Sequence, residues 1–146
     1  MIQPDYLQKG DTIGIVSPAG KVDRDKVIAA TGFLENRGLK VSQGKHALDH
    51  HYKYSSTDEN RLADFQHMLD DPAVKAILCA RGGYGTNRII DKIDFSTFTK
   101  YPKWIIGFSD ITVLHSHIHR HFIDLCTVVL LDVSKDSNIV RFHEIY

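Results

Sequence analysis

Short apolar runs alternate along the chain with longer segments whose apolar residues recur every three or four positions. The runs predict buried strands at residues 11–16, 39–42, 74–79 and 104–108. The periodic segments predict helices at residues 23–37, 57–69, 86–92 and 110–121. Strands that alternate with helices are typical of βαβ units, so the fold class predicted is α/β, with a mostly parallel sheet covered on both faces.

The last part of the chain shows a weaker pattern. Residues 124–131 predict a fifth strand, and residues 132–146 show no clear period and no stop signal. The sequence therefore predicts no element for residues 132–146.

The composition excludes several classes of partner. The chain has 146 residues, with 18 basic and 18 acidic side chains that cancel, which argues against binding to nucleic acid or to an anionic membrane. The polar start has no apolar signal-peptide core, and no apolar run approaches the roughly 20 residues of a membrane helix. Cys79 and Cys126 are isolated, which predicts two reduced core thiols in a cytosolic protein.

The strongest chemical signal lies where the run 104–108 ends in Gly-Phe followed by Ser109 and a helical segment. A strand that enters a sharp turn in this way exposes the serine hydroxyl, and the backbone N–H of Asp110 would then face a developing oxyanion. Two observations keep another interpretation open. Ser109 or Asp110 could simply cap the helix, and Ile111 departs from the Gly-x-Ser-x-Gly spacing.

A glycine loop follows the predicted strand 74–79. Gly82, Gly83 and Gly85 let backbone N–H groups approach a phosphate or an oxyanion, although neither phosphate-binding fingerprint is present and a ligand-free turn is equally compatible. Arg81 could clamp a carboxylate or pair with a neighbouring acid. Because residues 17–20 also follow a strand, three turns are predicted to converge at the carboxyl edge of the sheet, where ligands bind.

A run of alternating histidines occupies the last predicted helix: His115, His117, His119 and His121. On a helix these form two i,i+4 pairs on different faces, and either pair could hold a metal ion. No third ligand is evident nearby, so an exposed or partly packed helix surface is favoured and no metal site is predicted.

Four segments, in this order, resemble the LD-carboxypeptidase family of serine peptidases, which also includes the microcin-immunity peptidases. The resemblance covers about residues 5–122. The matching pieces are Gly10-Asp11-Thr12-Ile13-Gly14-Ile15-Val16-Ser17-Pro18-Ala19, Ser56-Thr57-Asp58-x-x-Arg61-x-x-Asp64, Ala76-Ile77-x-Cys79-Ala80-Arg81-Gly82-Gly83-Tyr84-Gly85 with Arg88, and Lys103-Trp104-Ile105-Ile106-Gly107-Phe108-Ser109-Asp110-Ile111-Thr112.

The resemblance implies a cytoplasmic enzyme that releases the terminal D-alanine from murein tetrapeptides during cell-wall recycling, without a cofactor. Ser109 matches the nucleophile, and the N–H groups of Asp110 and Gly83 match the oxyanion hole, with Gly82 as an alternative donor. Arg81, Gly82 and Tyr84 are expected to contact the small peptide substrate. The implied fold is a flavodoxin-like three-layer sandwich followed by a C-terminal domain, and family members commonly form homodimers.

One departure from the family is serious. The resemblance implies a Ser-His-Glu triad whose His and Glu lie in the C-terminal domain, and none of the nine histidines here occupies the base position. The sequence after Phe122 does not continue as in the family, so residues 1–122 are expected to be the nucleophile-bearing domain and residues 123–146 a divergent tail from a truncated or frameshifted gene.

Without its base, the chain alone is expected to have little or no peptidase activity. Two alternatives remain open. One is a non-catalytic remnant that binds muropeptide weakly or self-associates through surfaces that the missing domain would cover. The other is a flavodoxin-like nucleotide-binding module that uses the glycine loop, which the missing phosphate fingerprint disfavours.

Overall fold

A computed structural model describes residues 2–125, 128–132 and 141–144. Its strands are β1 (Thr12–Val16), β2 (Lys40–Gln43), β3 (Val74–Cys79), β4 (Trp104–Gly107), β5 (Val128–Asp132) and β6 (Arg141–Glu144). They form one sheet in the order β2-β1-β3-β4-β5-β6. The first five strands pair in parallel, and β6 pairs antiparallel with β5. The prediction of a mostly parallel sheet is therefore confirmed.

The helices are α1 (Arg24–Glu35), α2 (Asp58–Asp70), α3 (Ser96–Lys100) and α4 (Thr112–His121). Single 3-10 turns occupy Thr86–Arg88, Ile90–Lys92 and Ser109–Ile111. The prediction of one helix over residues 86–92 is thus wrong, because two 3-10 turns take its place. Short α3 and strand β6 were not predicted by the pattern. The fifth predicted strand is confirmed in part by β5, since residues 126 and 127 lie outside the described ranges.

The core lies on both faces of the sheet, because successive strand residues point to opposite sides. On one face the strands pack with Val27 and Leu34 of α1, through Ile13, Ile15, Ala76 and Ile106. On the other face they pack with α2 and α4, through Val16, Ile77, Cys79, Ile105, Phe65, Met68, Leu69, Leu114 and Ile118. Helices on both faces of the sheet make a three-layer α/β sandwich, as the resemblance implies.

Cys79 lies in this core as a free thiol, as expected, and burial raises its pKa above the ordinary range. Cys126 lies outside the described residues. None of the helices in the described part of the chain combines the length and the apolar character needed to cross a membrane.

Helix α2 is fixed at both ends by side chains. At its start the Thr57 hydroxyl accepts a hydrogen bond from the Asn60 N–H at 3.2 Å, as an N-cap does. At its end the buried ammonium of Lys103 donates to the carbonyls of Met68, at 3.0 Å, and Asp71, at 2.7 Å. Burial lowers the pKa of Lys103 to about 8. Helix α2 is therefore a rigid support for the residues that it carries toward the edge of the sheet.

His115 of α4 is buried, with only 4% of its surface exposed. Neither ring nitrogen has a hydrogen-bond partner among the described residues. Burial lowers the pKa of His115 to about 4. The imidazole is therefore neutral in the folded protein at pH 7 and is unavailable as a general base at the surface.

We expect this histidine to make the fold sensitive to mild acid. Between pH 6.5 and about pH 4 the unfolded chain binds a proton at His115 and the folded chain does not, so stability falls as the pH decreases through this window. The full contribution is about 3 kcal/mol. Urea unfolding at pH 7 and pH 5 is expected to show a loss of about 2 kcal/mol from this histidine, since the rest is lost only below pH 5. The pH dependence should shrink in His115→Leu but persist in His119→Leu, which changes an exposed histidine on the same helix. An equal pH slope in both variants would contradict this account.

Candidate active site

Strand β4 delivers Ser109 into a sharp turn at the carboxyl edge of the sheet. Ser109 is exposed and adopts a φ of 57°, in the left-handed region that non-glycine residues rarely occupy. Gly107 makes the turn possible, because a Cβ at that position would lie only 2.6 Å from Cγ2 of Ile111. The chain then continues through the 3-10 turn into α4. The serine is thus presented as the sequence predicts, at a strand–turn–helix junction.

The helix-capping interpretation of this turn is wrong for both side chains. The N-cap positions of the 3-10 turn Ser109–Ile111 and of α4 are Phe108 and Ile111, so neither Ser109 nor Asp110 occupies a cap position. The Asp110 carboxylate instead accepts the backbone N–H of Thr86 at 2.9 Å, which ties the serine turn to the end of the glycine loop. The hydroxyl of Thr112 donates to the Ser109 carbonyl at 2.6 Å and so tightens the turn.

The glycine loop packs directly against Ser109. A Cβ added to Gly82 would lie 2.9 Å from the Cβ and 3.3 Å from the Oγ of Ser109, so only glycine allows this approach. The Gly82 carbonyl accepts the Gly20 N–H at 3.0 Å, which joins the loop after β1 to the same place. Gly83 adopts a φ of 108°. The predicted convergence of the three turns, 17–20, 81–85 and 107–110, is confirmed.

Two more predicted site residues lie at the rim of this junction. Arg81 is exposed, and its Nη1 donates to the Lys21 carbonyl at 2.8 Å. Tyr84 is 43% exposed, and its hydroxyl accepts a hydrogen bond from the Asn87 side-chain amide at 3.2 Å. Arg81 makes no ion pair within residues 2–125, so the alternative in which it pairs with a neighbouring acid finds no support there.

The structure adds a positioning residue to which the sequence assigned no role. Arg61 of α2 is 1% exposed, and its guanidinium donates to the carbonyls of Ser56 (3.2 Å), Gly85 (3.0 Å) and Pro18. It also pairs with the Asp58 carboxylate. A Cβ on Gly85 would lie 2.7 Å from Nη1, which explains the glycine there. Arg61 therefore ties the loop after β1 and the glycine loop to α2.

A signal for this role was present in the sequence. Arg61 precedes the apolar residues Leu62 and Phe65 in an amphipathic helix, and it belongs to the second matching segment. An arginine on the buried side of a helix needs several hydrogen-bond acceptors. Loops that meet at the edge of a sheet can supply them, because their backbone carbonyl groups are not used within a helix or strand. On the surface, Asp58 also pairs with Arg88 at 2.8 Å, and this second guanidinium is the main reason for its lowered pKa, followed by Arg61.

The histidine run does not converge on Ser109. His115 points into the core, while the rings of His117 and His121 lie 4.2 Å apart at the surface. Within the described ranges no group of three or more His, Cys, Asp or Glu residues is arranged to hold a metal ion. No histidine in this part of the chain is hydrogen-bonded to Ser109.

A parallel α/β sandwich that exposes a serine on a strained strand–turn–helix junction, against a glycine loop, is typical of the nucleophile-bearing domain of serine hydrolases. The comparisons with known proteins define the class further. Residues 13–129 match the family described as LD-carboxypeptidase N-terminal domain. The chain therefore belongs to the LD-carboxypeptidase family, as the sequence motifs imply.

Three relatives illustrate the similarity. The chain is 47% identical over 119 residues to the probable murein peptide carboxypeptidase of Bacillus subtilis (strain 168), which covers 82% of this chain and 37% of the relative. An MccF-like protein from Bacillus anthracis str. Ames superimposes with a TM-score of 0.78 at 31% identity, covering 89% of this chain and 39% of that one. For a muramoyltetrapeptide carboxypeptidase from Oxalobacter formigenes the TM-score is 0.70 at 29% identity, with 83% and 39% covered.

The chain thus spans only 37% to 39% of the length of these relatives. The similarity establishes the family and the fold of the shared N-terminal part. The boundary predicted after residue 122 and the divergent tail 123–146 stay predictions, and residues 126, 127, 133–140, 145 and 146 of that tail lie outside the described ranges.

Proposed function

We propose that this chain is the N-terminal, nucleophile-bearing part of a cytoplasmic serine LD-carboxypeptidase that releases D-alanine from murein tetrapeptides. The observation that carries the proposal is the exposed, left-handed Ser109 with the Gly82 backbone packed against its side chain. The printed names of the Bacillus subtilis and Oxalobacter formigenes relatives support the substrate class.

In the proposed mechanism the Ser109 Oγ attacks the carbonyl that precedes the terminal D-alanine. Negative charge develops on the carbonyl oxygen, and the N–H groups of Asp110 and Gly83 stabilise it, with Gly82 as the alternative donor. Two hydrogen bonds hold the serine turn and the glycine loop in place, and these two segments form the two sides of the oxyanion hole. One joins the Asp110 carboxylate to the Thr86 N–H, and the other joins the Arg61 guanidinium to the Gly85 carbonyl. Donors fixed before the reaction stabilise the transition state more than the ground state.

The attack also requires a base that takes the hydroxyl proton and returns it to the leaving amine. The described residues place no histidine on Ser109, and the resemblance implies that the base belongs to a C-terminal domain. We therefore propose that residues 1–146 by themselves hydrolyse tetrapeptides hardly at all.

Labelling with a fluorophosphonate tests the nucleophile without requiring turnover. The label is applied to a chimera of residues 1–122 with the C-terminal part of the Bacillus subtilis relative, which supplies a base to activate the serine. Ser109 is expected to be the modified residue on peptide mapping, and the label is expected to disappear in Ser109→Ala and to remain in Ser116→Ala, which alters an exposed serine on α4. For residues 1–146 by themselves, D-alanine release from a tetrapeptide is expected to match that of the Ser109→Ala chain. Modification of a different serine would refute the nucleophile, and turnover like that of a complete family member would refute the inactivity.

A non-catalytic muropeptide-binding domain is the second candidate function. The absence of a histidine beside Ser109 in the described part of the chain favours it. In that case the tetrapeptide binds while Ser109 stays unlabelled. We also propose that the chain self-associates, and light scattering that shows only monomer at high concentration would count against this proposal.

A further inference from the structure

Three cationic residues lie together beside the glycine loop. Arg81 donates to the Lys21 carbonyl at 2.8 Å, and the Lys21 N–H donates to the Lys53 carbonyl at 3.3 Å. All three residues are exposed, and none of them pairs with a carboxylate among residues 2–125. Arg61 and Arg88 differ in this respect, because both pair with Asp58. The rim therefore carries positive charge that the neighbouring side chains leave uncompensated.

The ammonium group of Lys53 is held over this rim by aromatic rings. Its Nζ lies 4.5 Å from the centre of the Tyr84 ring and 5.4 Å from that of Tyr54, within the range of a cation–π contact. The backbone around it is also fixed, because the Ser55 N–H donates to the Ala19 carbonyl at 3.2 Å. The charge is thus located next to the loop that contacts Ser109.

We propose that Lys53 and Arg81 form a subsite that binds the terminal carboxylate of the peptide presented to Ser109; this inference rests on the proposed function. The carboxylate of a terminal residue lies one residue, about 3.8 Å between Cα atoms, beyond the carbonyl that is attacked. The Lys53 ammonium lies over the ring of Tyr84, the residue that follows Gly83 in the glycine loop. The two cationic side chains therefore border the glycine loop that supplies a proposed oxyanion donor.

The two side chains supply complementary chemistry. A guanidinium has five N–H groups in a planar fork that fits a carboxylate, and Arg81 uses one of its nitrogens for the Lys21 carbonyl. Lys53 adds a point charge, and Lys21 raises the positive potential beside both. Specificity for a free terminal carboxylate, rather than an internal amide, follows from this arrangement.

The test compares two ligands on the 146-residue chain by NMR titration: a D-alanyl tetrapeptide and the same peptide with a C-terminal carboxamide. The free acid is expected to bind about five-fold more tightly, as expected for a charge contact at a surface. Lys53→Met is expected to reduce this preference to less than about two-fold, and high salt is expected to do the same. Lys40→Met makes the same change at the opposite end of the sheet and should keep the preference.

Several outcomes would overturn the subsite. They are equal binding of the acid and the amide, no binding of either peptide, or an unchanged preference in Lys53→Met with a spectrum that shows a folded chain. ATP that binds the parent chain and is lost in Lys53→Met would reassign the site to phosphate. A neutral fluorophosphonate does not need Lys53, so a labelled Ser109 without any preference for the acid refutes the subsite and leaves the proposed function standing.

Discussion

A chimera that joins residues 1–122 to the C-terminal part of the Bacillus subtilis relative is expected to release D-alanine from a murein tetrapeptide. Its Ser109→Ala variant is expected to lose at least about 10³-fold of that activity, because removal of a nucleophile leaves only binding and oxyanion stabilisation. The measurement is the initial rate of D-alanine formation. The chimera supplies the base that the described residues do not place beside Ser109.

Ser116→Ala is the matched control in the same chimera. Ser116 is exposed one turn into α4, so its hydroxyl can be removed without a change in the junction, and the rate is expected to stay within about two-fold. An active chimera that tolerates Ser109→Ala would show that another group attacks the substrate. A folded but inactive chimera would show that the Ser109 turn does not work with a family base.

The substitution Arg61→Met is expected to lower the free energy of unfolding by about 3–5 kcal/mol. The loss leaves the carbonyls of Ser56, Pro18 and Gly85 without their donor in a site from which water is excluded, and each such group costs free energy. Urea denaturation at pH 7 measures the change. The loops on both sides of Ser109 should also become more mobile, which hydrogen exchange at Gly85 and its neighbours reports.

Arg88→Met provides a matched control, since it removes another guanidinium from the same carboxylate of Asp58. The side chain of Arg88 is 47% exposed, so its ion pair is screened by water and its removal is expected to lower stability much less than that of Arg61. Equal losses of stability in the two variants would show that the carbonyl contacts of Arg61 have no special importance.

The sequence predicts those features that depend on local order along the chain. The apolar run that ends at Phe108 and the helical segment after it define the turn at Ser109, and β1, β3, α1 and α2 follow from simple periodicity. The predicted convergence of turns also follows, because parallel strands bring their carboxyl ends to one edge. Short α3 was missed because five residues span little more than one turn and give no periodic signal.

Features that depend on contacts between distant segments were not predictable from the sequence. The pattern shows glycines at the loop after β3, but it does not show that Gly82 rather than its neighbour packs against Ser109. It places Arg61 on an amphipathic helix without naming the three carbonyls that bind it. The histidine run predicts an exposed or partly packed surface. His115 is instead buried, because the i+4 spacing from Ile111 and the i+3 spacing to Ile118 place it on the same inward face as these two buried residues.

The backbone conformation at Ser109 lowers the stability of the fold while it exposes the serine hydroxyl. Holding a residue with a Cβ at a φ of 57° costs about 1–3 kcal/mol, whereas glycine adopts this geometry freely. Selection for stability alone would therefore favour glycine at position 109. Stability alone therefore gives no reason for a hydroxyl-bearing side chain at this position.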